Sequence, residues 1–310
     1  MNKSIDILSI GEVLIDFIGH EVNTSINRTK DYHRFLGGSP TNVAVNASRL
    51  GLKSVLVASC GQDGLGDYII RKLKANKVNT AQIGKSDTLP TSVIFVSKST
   101  ETPDFIPYRQ ADCEIYEEQL PDAVLAEAKI FHTTCFALSK NPARTTILNR
   151  AKRAKELGLQ LSIDINFSER IWPNREEAKQ VIKEYLSYDP LVKLSEDDCY
   201  RLFAVVKSEE FIFDYFHVLG ATTICLTKGK NGVVVSDVKE GLLFQKAIPL
   251  EEIKDTTGAG DAFWTGFLYA QLHEYDLNTS ITIAQKLAAI KLQNVGRLPD
   301  NLEISKLIQF

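Results

Sequence analysis

The sequence has no apolar run near the roughly 18 residues that a membrane span needs, so a transmembrane helix is not expected. It has no Cys-x-x-C pair. The five cysteines, Cys60, Cys113, Cys135, Cys199 and Cys225, are an odd, dispersed set. That excludes a disulfide framework or a zinc site as the organising principle. Cys60, Cys135 and Cys225 stand in apolar surroundings and read as small core residues. Charge of one sign is also missing in blocks. Lys and Arg number 36 against 39 Asp and Glu, giving a net charge of −3 with no basic stripe. Neither nucleic acid nor a membrane surface is an expected partner. Met1-Asn2-Lys3-Ser4 leads straight into a strand-like run, without the pattern of a signal peptide, so a cytoplasmic location is expected. Two nucleotide motifs are absent as well. Gly84-Lys85-Ser86 has Asn79 where a P-loop requires glycine, and the Gly258/Gly260 pair is followed by Phe263 instead of the third glycine of a dinucleotide fingerprint.

What is present is an α/β pattern. With 310 residues, 44% of them apolar and 24% charged, the chain can bury a large core. Strand-like runs at Ile5–Ile10, Ser54–Ser59, Ile130–Thr134, Leu159–Ile163, Leu191–Leu194 and Thr223–Thr227 alternate with helical periodicity. Helices are expected at Tyr68–Ala75, Pro142–Leu157, Arg175–Leu186 and Ser280–Val295. This alternation predicts a mainly parallel sheet flanked by helices. No repeat or low-complexity linker divides the chain, so one domain over residues 1–310 is expected. The run from Asp87 to Phe105 reads as a hairpin, which with Leu14–Ile18 could form a small separate sheet. His132 ends a strand and is expected to pack or to order a loop.

The chemistry concentrates in glycine-rich turns. Asp255-Thr256-Thr257-Gly258-Ala259-Gly260-Asp261-Ala262-Phe263 leads a turn into an apolar helix. Small residues let N–H groups approach an anion, and the helix start adds its positive dipole end. Asp261 would repel a resting phosphate, but it can take a proton from a hydroxyl attacking that phosphate. The competing reading is an ordinary helix start with Asp261 as its N-terminal charge. Gly11-Glu12-Val13-Leu14-Ile15-Asp16-Phe17 places a carboxylate in an apolar strand. Asp16 either faces water from an edge or accepts hydrogen bonds from a polyol. Gly37-Gly38-Ser39-Pro40-Thr41-Asn42-Val43-Ala44 lets backbone pass close to a ligand and presents Asn42 from a first helical turn. Ser39 reads as the N-cap and Pro40 as the first helical residue.

The Asp255–Phe263 string resembles the C-terminal signature of the ribokinase-like (PfkB) sugar kinase family. The Gly37–Ala44 string is similar to its first signature, and Gly61-Gln62-Asp63-Gly64-Leu65-Gly66 to its next glycine-rich stretch. The resemblance implies a ribokinase-like sheet with a small β-sheet lid, drawn from about residues 12–36 and 90–112, that is often the dimer contact. It implies transfer from ATP with Mg²⁺ to a sugar hydroxyl, with Asp261 as base and the N–H groups of Gly258, Ala259 and Gly260 as the anion hole. Asp16, Gly37, Gly38, Asn42 and Asn166 fall on the sugar side. Thr227, Gly229 and Gly232, in Leu226-Thr227-Lys228-Gly229-Lys230-Asn231-Gly232, fall with Thr257, Gly258 and Gly260 on the nucleotide side. Asp198 stands near the magnesium shell, where the family usually has Glu. Backbone around Asp255 and Thr257 is implied to hold a monovalent cation such as K⁺. In Asp164-Ile165-Asn166-Phe167-Ser168-Glu169-Arg170, Ser168 departs from the family arginine, and Arg170 lies two residues on. Arg109 could face the acceptor and pair with a carboxylate. The acceptor expected is a ketohexose, as in fructokinases. The alternatives are 2-keto-3-deoxygluconate or 5-dehydro-2-deoxygluconate, or a catalytically idle sugar- or nucleotide-binding protein.

Overall fold

The computed structural model describes residues 3–99, 104–296, 298, 299, 302, 305 and 307. Among them, nine strands form one sheet in the order Gly241–Gln245, Val233–Asp237, Thr223–Thr227, Leu191–Ser195, Gln160–Asp164, Ala128–Thr134, Ile5–Ile10, Ser54–Gly61 and Ile83–Ser86. Pairing is parallel except where the hairpin Val233–Asp237/Gly241–Gln245 closes one edge. The inner strands are buried along most of their length because both faces are covered. Alternate side chains point to opposite sides. Ile7, Ile130 and Leu191 pack with Trp264 and Phe267 under the helices Ser39–Arg49, Ala259–Leu272 and Leu277–Leu292. Leu8, Phe131 and Val192 pack on the other side with Tyr185 and Phe216, beneath Ala143–Glu156, Arg175–Leu186 and Glu209–Val218.

A second sheet runs Tyr32–Gly37, Leu14–Val22, Val93–Lys98, Phe105–Tyr108. The hairpin expected within Asp87–Phe105 is the antiparallel pair Val93–Lys98/Phe105–Tyr108, and residues 100–103 between the strands lie outside the described residues. The Gly61–Gly66 turn anchors this sheet. Asp63 accepts the N–H groups of Leu65 and Gly66 at 2.9 and 2.8 Å, capping the helix Gly64–Ala75, and accepts the N–H of Thr91 at 2.8 Å.

The chain crosses between sheets beside Glu12. Gly38 has φ 102°, and a Cβ there would lie 2.3 Å from the Glu12 carbonyl oxygen, so only glycine fits. The N-cap expectation is corrected here. Gly38 is the N-cap, Ser39 is already helical, and the Glu12 carboxylate accepts the Ser39 N–H at 3.0 Å. The Ser39 hydroxyl is thereby released for another partner. His132 is wholly buried with Nδ1 3.0 Å from the Ser162 hydroxyl, and burial pulls its pKa down to about 3, as befits a packing residue.

Candidate active site

Gly258, at φ 75°, turns the chain into the helix Ala259–Leu272, whose first turn carries Asp261. Each oxygen of this carboxylate has a holder from the helix Ser39–Arg49. Oδ1 accepts the Ser39 hydroxyl at 2.6 Å and Oδ2 accepts the Asn42 amide at 2.8 Å. Residues 222 and 219 positions apart therefore meet where two helix starts converge. Asp16 comes alongside from the small sheet. Its pKa is pushed up to about 7 by burial, then by the negative charges of Asp261 and Asp255. A Cβ on Gly37 would lie 2.3 Å from Asp16 Oδ2, so the glycine makes room for the carboxylate. Asp16, Gly37, Gly38, Asn42 and Asp261 thus stand together.

Asn166 lines the neighbouring chamber, and its Oδ1 accepts the Phe136 N–H at 3.1 Å. Arg109 is placed differently from the expectation. Its side chain is 3% exposed, with Nε and Nη2 donating to Asp112 Oδ2 at 2.9 and 2.6 Å. Nη1 donates to the Phe136 carbonyl at 3.3 Å and to the Ser139 hydroxyl, and the guanidinium lies over the Phe136 ring. These contacts are internal, so the fork is not presented to an acceptor. Arg170 donates to the Phe105 carbonyl and pairs with Asp104 at the exposed end of the small sheet.

A chamber of about 730 Å³ borders Asp261, walled by Asp164, Lys193, Asp198, Thr227, Gly229 and Gly258. Beside it lies a mostly apolar slot of about 270 Å³, lined by Gly232, Val233, Ile248, Phe263 and Leu292. Thr227, Gly229, Thr256 and Gly260 border both, so the anion loop lies where slot and chamber meet. A flat apolar group can enter the slot while a chain of phosphates lies in the chamber.

Lys193 and Lys291 were not among the expected site residues. Lys193 is buried in an apolar strand and donates to both oxygens of Asp164 at 3.0 Å. A Cβ on Gly260 would lie 3.0 Å from its Nζ, which puts the ammonium against the anion loop. Burial works against that charge, but the carboxylates of Asp164, Asp198 and Asp261 outweigh it and raise the lysine pKa. Lys291 touches Asp255. Asp255 Oδ1 accepts the Thr257 N–H at 2.9 Å, while Oδ2 accepts the Gly296 N–H at 2.8 Å and the Lys291 ammonium at 3.1 Å. Burial pushes Asp255 up, but Lys291 and the two N–H groups hold its pKa below the usual carboxylate range.

Asp198 closes a capping box on the helix Glu196–Phe203, its Oδ2 accepting the Ser195 N–H and hydroxyl at 2.9 and 2.6 Å. Burial pushes its pKa up. Among the described residues no group of three His, Cys, Asp or Glu side chains could hold a metal by itself. A magnesium ion arriving on phosphates would meet few protein oxygens here, with Asp198 among the carboxylates that line the chamber.

Residues 4–303 match the family model described as pfkB family carbohydrate kinase. The ATP-dependent 6-phosphofructokinase of Thermoanaerobacterium thermosaccharolyticum is 33% identical over 99% of this chain and 94% of its own. The solved fructokinase of Halothermothrix orenii is 34% identical, with a TM-score of 0.79 over 95% of this chain and 100% of its own. A sugar kinase of Pyrococcus horikoshii, solved in complex with ATP, is 29% identical with a TM-score of 0.85, covering 97% of this chain and 98% of its own. Two glycine-rich helix starts facing one carboxylate, next to a chamber sized for phosphates, and matches over nearly the whole length make this chain a member of the pfkB family of carbohydrate kinases.

Proposed function

We propose that the protein transfers the γ-phosphoryl group of ATP to a primary hydroxyl of a neutral ketohexose, as fructokinases do. The observation that carries the choice of acceptor is the charge around it. Asp16 and Asp261 lie together on the sugar side, and Arg109 is held by Asp112. Paired carboxylates accept hydrogen bonds from hydroxyls and repel an anionic acceptor, which disfavours the two keto-deoxy sugar acids.

Asp261 takes the hydroxyl proton as the sugar oxygen attacks phosphorus. Ser39 and Asn42 fix the direction of its two oxygens. The N–H groups of Gly258, Ala259 and Gly260 stabilise the charge that builds on the transferred group, with Lys193 behind them. Magnesium bound with ATP would neutralise charge on the donor phosphates, beside Asp198.

A second reading has one specific support. A recess of about 300 Å³ opens beside Asn42 and contains the cations Arg34 and Lys72. It could seat the phosphate of fructose 6-phosphate, the type of acceptor that the Thermoanaerobacterium relative's name implies. ADP release with MgATP decides, measured for fructose, fructose 6-phosphate, 2-keto-3-deoxygluconate and 5-dehydro-2-deoxygluconate. Fructose is expected to give the highest kcat/KM. Asp261→Asn should lower kcat by roughly 10² to 10⁴ while ATP affinity stays within a few-fold. Preference for fructose 6-phosphate would transfer the assignment to the second reading. Absence of turnover on every sugar, with ATP still bound, would favour an idle binding protein.

A further inference from the structure

The anion loop starts at Asp255, and family resemblance expects a free monovalent cation there. The residues present do not fit one. Lys291, at the end of the helix Leu277–Leu292, is 3% exposed, and its ammonium already lies in that position. It donates to Asp255 Oδ2 at 3.1 Å and to the Asn294 carbonyl at 3.1 Å. The N–H groups of Gly296 and Thr257 take two more of the roughly four acceptor sites of the carboxylate. An alkali ion needs oxygens turned towards it, and here a carboxylate and a carbonyl oxygen are turned towards the lysine. A second positive charge against the same carboxylate would also be repelled.

The ammonium is close to the chemistry. A Cβ on Gly258 would lie 3.7 Å from Lys291 Cε, so the side chain runs directly beneath the first residue of the anion hole. Through Asp255 it fixes the N–H of Thr257, one residue before Gly258. We propose that Lys291 is a built-in counter-cation: a tethered ammonium that steadies the anion loop where a diffusible cation would otherwise sit, so that catalysis needs no monovalent cation. Lys291 is a positioning residue, acting through Asp255 and the loop backbone. The proposal rests on the kinase reading for its rate measurements, but not for its stability measurements.

The test begins with the wild-type enzyme, the acceptor it turns over, and buffers whose sole monovalent cation is potassium, ammonium, sodium or tetramethylammonium. The rate and melting temperature should be the same in all four. Lys291→Ala empties the position, and its kcat in tetramethylammonium should fall about tenfold or more, with acceptor KM little changed. Potassium or ammonium should restore kcat and raise the melting temperature of this variant. Lys291→Met fills the space without charge and should show the loss without the rescue. A wild-type rate or melting temperature that depends on potassium overturns the proposal, as does a Lys291→Ala enzyme with full kcat in tetramethylammonium. Should Lys291→Ala not fold, the two wild-type series still decide. Should no sugar be turned over in any salt, the kinase reading fails, and the melting temperatures alone judge Lys291.

Discussion

Glu12 is 1% exposed, with Oε1 accepting the Ser39 N–H and Oε2 the Thr134 hydroxyl, each at 3.0 Å. Burial pushes its pKa up to about 8 despite those donors and the nearby Arg109 charge. The folded chain then keeps this proton across a range in which the unfolded chain has lost it. The contribution to stability is complete below about pH 4.5 and is lost as pH rises towards 8, at no more than about 1.4 kcal/mol per pH unit. Glu12→Gln should flatten that decline, which denaturant titrations of both proteins at pH 5 and pH 8 would show. On the proposed function, Asp16 would act on the ligand instead. Removing hydrogen bonds to a charged group costs about 1.5–3 kcal/mol, so Asp16→Asn should raise the acceptor KM by roughly tenfold to a hundredfold. ATP affinity, measured by titration, should stay put. Asp16, Asn42 and Asp261 were legible in the sequence because each stands in a glycine-rich or apolar string that is unusual within a few residues. Lys193 and Lys291 were not, since their meaning depends on Asp164 and Asp255, 29 and 36 positions away. A lone lysine inside the apolar strand Leu191–Ser195 was the one local signal of that kind. Arg109 misled for a different reason, because a sequence does not say whether an arginine three residues before Asp112 turns to that carboxylate or to a ligand.

At the level of elements, the glycines separate into those that make room and those that do not. Gly37→Ala would drive a methyl group to 2.3 Å from the Asp16 carboxylate, so acceptor binding should collapse while far-ultraviolet circular dichroism stays native. Gly64, the first residue of its helix, has open space around it. Gly64→Ala should therefore stabilise by about 0.4–1 kcal/mol, read as a higher melting temperature. Parallel strands such as Ile5–Ile10 and Thr223–Thr227 were legible because burial on both faces leaves short, mostly apolar runs. The strand Tyr32–Gly37 was harder to see. Its residues are mostly half-buried or exposed, so the pattern that marks a strand is diluted. The start of the helix Ser39–Arg49 was misplaced by one residue, because its cap comes from Glu12, 27 positions earlier.

Across the whole molecule, the small sheet has one face towards Asp261 and another bearing aromatic rings. Phe17 stacks on Phe95, and Tyr32 and Tyr108 meet Phe95 edge-on. Ile106 and Tyr108 are 41% and 55% exposed. An apolar face of this kind suits a second copy of the chain, in keeping with the dimer that family resemblance suggests. Light scattering should give twice the chain mass, falling to the chain mass in Ile106→Asp. The same sheet is joined to the catalytic half by the shortest of links. The strand Tyr32–Gly37 and the helix Ser39–Arg49 have only Gly38 between them. Gly38 thus marks where the small sheet meets a helix packed on the main sheet, one residue before Ser39 and four before Asn42, the two side chains that aim Asp261. Bending at that glycine would let the small sheet move over the site like a shutter on a fixed frame, with the base kept in aim by the half that stays still.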